Sequence, residues 1–151
     1  MTLTVKKTSK KDFSKHFKHS STKFKDGARK GFDINGQMLV KDVRHEMTHG
    51  RKSGNTYKVY RGLGGRKLKR PRLHIASTPS EYPAVITGDL RKSVDYKVRG
   101  STRLEFGAGN GFMIYPKILE ERNQFLKRTF EKHKNQFKTN LNREIKKSLG
   151  I

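Results

Sequence analysis

Residues 45–49, His-Glu-Met-Thr-His, have the residue types and the spacing of a zinc-peptidase motif. Two histidines four residues apart, here His45 and His49, lie on one face of a helix and can share a zinc ion. The glutamate between them, Glu46, could then activate a metal-bound water for attack on a peptide bond. This stretch therefore raises the question of whether the chain is a metallopeptidase.

A catalytic zinc site also needs a third protein ligand and an open coordination position. The extended motif does not continue here, because Lys52 and Asn55 stand where its glycine and third histidine would be. At about 100° per residue, His45 and His49 fall away from the apolar side of their helix and are predicted to face solvent. Histidines in the last turn before Gly50 also complement the negative helix end without any metal. The sequence therefore favours a solvated helix end, and a zinc metallopeptidase is the less favoured alternative.

No other combination of residues predicts catalysis. Glu120 and Glu121 are adjacent and cannot share one helix face, and the serines lack the sequence context of a hydrolase nucleophile. His74 stands in a basic segment without a marked partner. The glycine-rich stretch 62–65 lacks the lysine and serine of a phosphate-binding loop and indicates a flexible turn. The sequence therefore predicts a protein that is not an enzyme, with no catalytic residue, metal or other cofactor.

The charge balance is the strongest feature of the composition. The 151 residues include 36 lysines and arginines against 13 acidic residues, which gives a formal net charge of +23. Such an excess predicts a polyanion or an acidic protein surface as a partner. The chain has no cysteine, which excludes disulfides and thiolate metal sites. It also has no apolar run of about 20 residues and no start like a signal peptide, so no membrane partner is expected.

An apolar stripe predicts a long N-terminal helix. Ser9 can cap its start near Lys10, and the pattern ends near Gly50. The pattern leaves open a break into two helices, because three glycines each cost about 1 kcal/mol against alanine, namely Gly27, Gly31 and Gly36. The apolar residues recur at sums of three and four; they are Phe13, Phe17, Phe24, Ala28, Phe32, Leu39, Val43 and Met47.

Residues 51–82 are predicted to form an extended basic arm or long loop. A short β-prone run around Val59 is followed by a segment rich in glycine, proline and basic residues. Nine basic residues and no acidic one lie between Arg51 and Arg72. A loop of this length is unusual in a compact domain unless it binds a partner. The cations expected to contact a partner or DNA are Lys58, Arg61, Arg66, Lys67, Lys69, Arg70 and Arg72.

The C-terminal half predicts a β-hairpin followed by helix. Two short strands meet near Gly100 and would place Val94, Tyr96 and Val98 on one face. A helical turn near 116–121 then precedes a last helix, whose apolar face is marked by Leu126, Phe130, Phe137, Leu141, Ile145 and Leu149. The sequence therefore predicts one α+β domain over 1–151 with a flexible start over 1–8. A small, mostly antiparallel sheet is expected to pack under a long N-terminal helix and a C-terminal helix.

The segment 74–94, HIASTPSEYPAVITGDLRKSV, carries a more specific pattern. Prolines stiffen an extended approach, Thr87 can cap, Gly88 permits a tight turn and Asp89 opens a short helix before the strand. A strand ending in Leu-Glu-Phe-Gly, a short helix and a Phe-Leu pair follow in order within residues 74–130. The residues of this pattern are Pro83, Ala84, Thr87, Gly88, Leu90, Arg91, Ser93, Leu104, Glu105, Phe106, Gly107, Tyr115, Leu119, Glu120, Phe125 and Leu126.

This ordered set resembles the signature of the tail-completion proteins of long-tailed bacteriophages, which are neck or head–tail joining proteins. The resemblance implies an α+β protomer that assembles into a homo-oligomeric ring, expected to be a hexamer, between filled head and tail. It implies as partners a head-side connector and a tail terminator or tail-tube protein, in a virion made in the bacterial cytoplasm. It brings no catalytic residue with it. Gln124 departs from the pattern, since proline is common there, so the start of the last helix is expected to be shaped differently.

Two uses of the positive charge follow from these expectations. An unpaired strand of the arm could add to a neighbour's sheet and pair with acidic rims. DNA passing through the lumen could also attract lysines and arginines to its phosphates. The alternative is a general nucleic-acid-binding basic protein, for which the net charge and the stretch 66–72 suffice. Aromatic residues do not interleave with that stretch, so recognition of bases is not expected.

Overall fold

The computed structural model describes residues 10–109 and 115–151, with side chains described from residue 18 in the first helix and from residue 116 in the third. The elements in chain order are α1 (Lys10–His49), β1 (Thr56–Arg61), β2 (Lys67–Ile75), α2 (Asp89–Ser93), β3 (Val94–Arg99), β4 (Arg103–Ala108), α3 (Tyr115–Asn123) and α4 (Phe125–Leu149). The chain is therefore α+β, with the long N-terminal and C-terminal helices that the sequence predicts. The described strands form two separate antiparallel pairs, β1–β2 and β3–β4, in place of one small sheet.

The first helix runs without a break for 40 residues. The helix is already present at Lys10, the first described residue. Ser9, the predicted cap, and the predicted flexible start over 1–8 lie outside the described residues. All three glycines that left a break open are places of close approach: Gly27 and Gly31 to α4, and Gly36 to the ring of Tyr96 on β3. A Cβ on Gly27 would lie 2.8 Å from the Cα of Ile145, and one on Gly31 would lie 2.9 Å from the Cα of Leu141. Packing of the two helices therefore offsets the low helix propensity of glycine.

Most of the stripe residues whose side chains are described face the interior. The side chains of Phe13 and Phe17, also predicted for the stripe, lie outside that part. Phe24 is an exception, because its side chain is 49% exposed. The reason is the length of α4, whose last turn lies level with this part of α1; there the Ser148 hydroxyl donates to the carbonyl of Lys23 at 2.6 Å. Little of α4 remains beyond that point to cover Phe24. The stripe residues that are buried are Ala28, Leu39, Val43 and Met47, and Phe32 is half-buried.

Helix α4 packs along α1 through a mixed apolar and polar contact. The rings of Phe32 and Phe137 meet edge to face, with centroids 5.9 Å apart. Of the predicted apolar face, Phe130 remains 39% exposed, and the other five residues are half-buried. The residues of α4 that are fully enclosed are Phe125, Thr129 and Asn140. The predicted face is therefore correct in direction, but the deepest positions lie to one side of it.

A buried pair of asparagines links the two long helices. The side-chain amide of Asn140 donates to the Oδ1 of Asn35 at 2.9 Å. The Asn35 amide in turn donates to the carbonyl of Phe137 at 3.0 Å. Both side chains are buried, so each hydrogen bond replaces one to water that the contact excludes. The pair therefore fixes the register of α4 against α1.

The hydrophobic core lies at the C-terminal half of α1, where the other elements converge. The pair β3–β4 packs on the helix with Val94, Tyr96 and Val98 on its inner face, as predicted. Tyr96 donates its hydroxyl to Asp33 at 2.7 Å, and this bond raises the pKa of the tyrosine. The enclosed core residues are Val40, Val43, Met47, Val94, Leu119 and Phe125. The core therefore joins α1, β3, α3 and α4.

Replacing Gly31 with alanine is expected to destabilise the protein by about 1–2 kcal/mol. The gain in helix propensity of up to about 1 kcal/mol is outweighed by overpacking against the α4 backbone, which costs about 1–3 kcal/mol. Urea unfolding followed by circular dichroism measures the difference. Gly107→Ala is the matched control, because a Cβ there would meet nothing within 4 Å. A stabilised Gly31→Ala variant would contradict the close approach of the helices.

Candidate interaction surface

The His-Glu-Met-Thr-His stretch lies at the solvated end of α1. His45 and His49 are both exposed, and their rings stack with centroids 4.6 Å apart. Glu46 does not face an open metal position, because its carboxylate pairs with Lys132 of α4 at 3.3 Å. No group of three or more histidine, cysteine or acidic residues in the described part of the chain could hold a metal ion. The geometry therefore favours the solvated helix end that the sequence predicts.

The apolar residues of the signature pattern build the core. Pro83 is buried on the segment that leads to α2. Phe125 and Leu119 are enclosed core residues contributed by α4 and α3. The other apolar signature residues that pack against the core are Leu90, Phe106 and Leu126, while Leu104 on β4 is half-buried. These side chains therefore contribute to the packing of the fold, and none of them carries a reactive group.

The turn before α2 has the predicted shape. Gly88 has a φ of 88°, which permits the tight turn. The Thr87 hydroxyl donates to the Asp89 carboxylate at 2.6 Å, and the Asp89 N–H lies 3.5 Å from that hydroxyl. The predicted cap is therefore a long contact, and Thr87 mainly positions Asp89.

Two further polar signature residues connect the turn to its surroundings. Arg91 donates to the hydroxyl of Thr48 near the end of α1 at 3.0 Å. The Ser93 hydroxyl donates to the carbonyl of Leu90 at 2.8 Å and accepts the N–H of Gly109 at 3.0 Å. The turn, the start of β3 and the end of β4 are therefore held together by side-chain hydrogen bonds.

The remaining polar signature residues lie on β4 and at the start of α4. Glu105 pairs with Arg99 at 3.1 Å on the hairpin surface, next to Gly107 on the same strand. Gln124 has a φ of 47°, which a proline ring cannot adopt. Glu120 accepts the N–H of Leu126 at 2.9 Å and so caps the helix from outside it. The predicted difference at the start of α4 is thus a left-handed residue with a glutamate cap.

The predicted arm is a β-hairpin, which we call the basic hairpin (residues 56–75). β1 pairs with β2 so that Tyr57 lies opposite His74 and Val59 lies opposite Arg72, with a bulge between Val59 and Arg61. The predicted extended arm is therefore a paired hairpin over these residues, and the alternatives of a long loop and an unpaired strand are wrong. The glycine-rich residues 62–65 form the turn of this hairpin. In the sequence Pro71 suggests a break in the strand, but β2 continues through it because an edge strand tolerates proline.

The inner side of the basic hairpin rests on the turn before α2 (residues 86–89), which we call the signature turn. The N–H of Gly64 donates to the carbonyl of Thr87 at 2.8 Å. The Arg72 guanidinium donates to the carbonyl of Ile86 at 3.0 Å. The side chain of Val59, on β1 of the hairpin, is buried at 7% exposure. The hairpin is therefore held at its tip and along β2 by the same segment that carries the signature.

The base of the basic hairpin is fixed by Glu81. Its carboxylate accepts the Ser53 hydroxyl at 2.7 Å, the Thr78 N–H at 2.9 Å and the Ser53 N–H at 3.1 Å. These bonds, the one from the Ser53 hydroxyl most of all, lower the pKa of Glu81 to about 2. Asn123 donates to the carbonyls of Thr78 and Glu81, which ties the same loop to the end of α3. The C-terminal end of the predicted arm is therefore anchored.

Acidification is expected to loosen the base of the basic hairpin. The pKa of Glu81 is lowered from 4.5 to about 2, so its stabilising contribution is present above pH 4.5 and is lost as the pH falls towards 2. Hydrogen exchange at the Ser53 and Thr78 amides measures this loss. In Glu81→Gln these amides should exchange faster at neutral pH and lose this acid dependence. Glu121→Gln, on an exposed position, is the control; unchanged exchange in Glu81→Gln would contradict the anchor.

The outer side of the basic hairpin combines positive charge with exposed apolar groups. No salt bridge in the described part of the chain involves any of its seven cations. Leu73 is 72% exposed and Tyr60 59% exposed. Strand pairing places Tyr57 opposite His74, which the linear sequence does not reveal. The exposed cations are those predicted as contacts: Lys58, Arg61, Arg66, Lys67, Lys69, Arg70 and Arg72.

Comparisons with known proteins do not identify a relative. The sequence matches no family model, and no curated protein or solved structure is significantly similar to it. No helix within residues 10–109 and 115–151 is long and apolar enough to cross a membrane. The resemblance to tail-completion proteins therefore stays a prediction, based on the ordered signature residues.

Proposed function

We propose that this chain is a structural virion protein that forms a ring at the head–tail junction of a tailed phage. In this role it joins the head-side connector to the tail terminator or tail tube. The observation that carries the proposal is the convergence of the signature segments, which are scattered between residues 83 and 126, on one core. Their order of turn, strand, strand, short helix and long helix also agrees with the order that the resemblance implies.

The chemistry proposed for this protein is adhesion between subunits. The signature residues are used for packing, helix capping and turn formation, and the exposed apolar and cationic groups are concentrated on the basic hairpin. Exposed apolar groups next to charges that have no acidic partner in the described chain are typical of a surface that another protein covers. An acidic rim on a neighbouring ring would pair with these cations and exclude water from the apolar groups.

A phage that lacks the protein tests the proposal. We expect infected cells to accumulate DNA-filled heads and finished tails that do not join, and purified protein should restore joining when it is added to the lysate. His45→Ala with His49→Ala should restore joining as well as the unaltered protein, because these side chains have no part in the proposed role. Joined, infectious particles in the absence of the protein would overturn the proposal.

Charge removal on the basic hairpin provides a sharper version of the same experiment. Lys67→Gln, Lys69→Gln and Arg70→Gln together are expected to lower the yield of joined particles by at least an order of magnitude. The matched control removes three exposed charges from α4, with Lys127→Gln, Lys134→Gln and Lys138→Gln. Equal losses in both variants would show that net charge, and not the hairpin, controls joining.

General nucleic-acid binding is the second candidate function. It is favoured by one observation, the exposed Tyr60 on the same hairpin as the seven exposed cations, because aromatic and basic side chains together bind single strands. Fluorescence anisotropy with labelled single-stranded and duplex DNA separates the two candidates. Tight binding to either DNA at physiological salt, with a steep dependence on salt concentration, would favour this second function. A neck protein requires no such affinity.

A further inference from the structure

The strand pair β1–β2 has a free backbone edge along β2. The N–H of Ala76 donates to the carbonyl of Asn55 at 3.0 Å, which sets the alternation of hydrogen bonds in this antiparallel pair. In that alternation the backbone groups of Leu73 and Ile75 point away from β1. In the described part of the chain no hydrogen bond outside the strand pair reaches either residue's backbone. A groove of about 440 Å³, lined in part by Leu73 and Ile75, lies alongside this edge.

The strand pair β3–β4 has a similar free edge along β3. The N–H of Gly109 donates to the carbonyl of Ser93 at 3.3 Å, so Val94, Tyr96 and Val98 direct their backbone groups away from β4. The outward carbonyl of Val94 accepts a hydrogen bond from the guanidinium of Arg44 of α1 at 2.8 Å. Within the described residues, the outward groups of Tyr96 and Val98 have no such partner. This edge can therefore accept another strand.

A groove of about 920 Å³ runs along the edge of β3 and is lined on its other side by the middle of α1. Asp95 and Lys97 line it from the outer face of the strand, and Tyr96 and Val98 line it from the inner face. Residues of both faces can line one groove only where it runs along the strand edge. The groove is therefore placed where a strand would have to enter to hydrogen-bond with β3.

The groove beside β3 has a small acidic excess, which suits the strongly basic hairpin. The hairpin has seven basic residues and no acidic one. In the groove the acidic residues outnumber the basic ones, although the chain as a whole has a net charge of +23. The acidic residues are Asp26, Asp33, Asp95 and Glu144, and the basic ones are Arg29, Lys30 and Lys97. Two copies of this cationic chain repel each other, so a stable contact needs opposite charges to meet.

The two edges cannot meet within one chain. The groove beside β2 is lined by Met47 and Thr48, at the C-terminal end of α1. The α1 residues that line the groove beside β3 lie within 26–34, so Ile34 is the one nearest to the C-terminal end of α1. At 1.5 Å per residue, the two places are separated by about 20 Å along the helix axis. Contact between the edges therefore requires a second copy of the chain.

We propose that β2 of one copy adds to the free edge of β3 of the next copy, so that two protomers share a four-stranded sheet. The strand order of this sheet is β1, β2, β3 and β4, with the last two strands supplied by the neighbour. The contact uses different surfaces on the two copies, so its repetition forms a ring when the rotation from one copy to the next closes. The biological setting rests on the proposed neck function, whereas the geometry of the contact does not.

Energetics favour a second copy as the occupant of each edge. A two-stranded sheet is marginally stable in water, and three or more strands are needed for an independent sheet. Strand addition gives Leu73 and Ile75 backbone partners and covers their exposed side chains. Each protomer has both halves of the contact, the basic hairpin and the acidic groove. No other protein is therefore needed to satisfy either edge.

Engineered disulfides test the proposal directly, because the chain has no cysteine. Leu73→Cys in one chain is mixed with Val98→Cys or Tyr96→Cys in another, at rising protein concentration and under oxidation. We expect a mixed cross-linked dimer with one of these two partners, since paired strands bring Cβ atoms within disulfide distance. Leu73→Cys mixed with Thr139→Cys is the control, because Thr139 is exposed on α4 and lies outside the groove. Absence of the mixed dimer, or an equal yield in the control, would overturn the proposal.

Charge reversal provides a second, independent arm. Lys69→Glu with Arg70→Glu on the cysteine-bearing hairpin should reduce the cross-link yield several-fold, and so should Asp26→Lys with Asp95→Lys on the groove. Mixing the two reversed chains should restore it, and a further loss would contradict the contact. If the cross-link forms but phage particles join without the protein, the neck function fails and the contact stands. If joining requires the protein but no cross-link forms, the contact fails alone.

Discussion

Replacing Phe125 with alanine is expected to lower the free energy of unfolding by about 3–5 kcal/mol. The side chain is completely buried at the first residue of α4, where it packs in the cluster with Val43, Val94 and Leu119. Removing the ring leaves a cavity at the point where four elements meet, and the surrounding backbones can close it only in part. Urea unfolding monitored by circular dichroism measures the loss.

The control for this variant is Ile118→Ala on α3. Ile118 is 53% exposed, so its truncation should change the stability by no more than about 0.5 kcal/mol. Equal effects of the two substitutions would contradict the placement of Phe125 in the core. The comparison also matters for testing the proposed function, because under that proposal a Phe125→Ala protein would fail to join heads and tails through loss of stability. The basic hairpin variants should instead fail while they remain folded.

Replacing Asn35 with leucine is expected to destabilise the protein by about 1–3 kcal/mol. The substitution keeps the branched shape of the side chain but removes the acceptor of the Asn140 amide, 2.9 Å away in a buried contact. The Asn140 side chain then stays inside the helix contact without its partner. The same unfolding measurement gives the size of the effect.

The double variant Asn35→Leu with Asn140→Leu makes this prediction specific. Removing both partners leaves no unpaired amide, so the double variant should recover most of the loss and lie close to the unaltered protein. Additive losses in the two single variants and the double variant would show that the amides do not interact. The double variant is also expected to pack α4 against α1 less uniquely, since two leucines do not fix the register.

Local patterns predict the helices well. The stripe from Ala28 to Met47 has the period of one helix face, and the helix that forms is the one predicted. The role of Gly27 and Gly31 is not predictable in the same way, because its cause lies in α4, more than a hundred residues away in sequence. In a sequence, a glycine that allows a second helix to pack closely looks the same as a glycine that interrupts the helix in which it lies.

The basic hairpin shows the same limit for strands. The exposure of its cations follows from their chemistry and is predicted correctly. The pairing of β1 with β2 is missed, since Pro71 and the glycines at 62–65 are signals of irregular structure in a linear reading. The buried contact of Asn35 with Asn140 is likewise absent from any local pattern, because the two residues are 105 positions apart. The free edges of β2 and β3 become visible only once the register of each pair is known.

These features together describe a chain with a modest core, an exposed basic hairpin and a groove beside β3. The signature turn contacts both the core and the basic hairpin. Leu90, just after the turn, packs against the core, and the carbonyl of Thr87 accepts the N–H of Gly64 at the hairpin tip. The same residues that resemble the tail-completion signature thus set the position of the proposed contact surface. Substitutions in this turn should therefore affect the fold and the docking of the hairpin together.

The most direct measurement is a cryo-EM reconstruction of finished particles of the phage that carries this protein. The account predicts copies of this protomer in a closed ring between head connector and tail, with the basic hairpin of each copy on the β3 edge of its neighbour. A head–tail junction fully built from other chains, with no density for this fold, would contradict it.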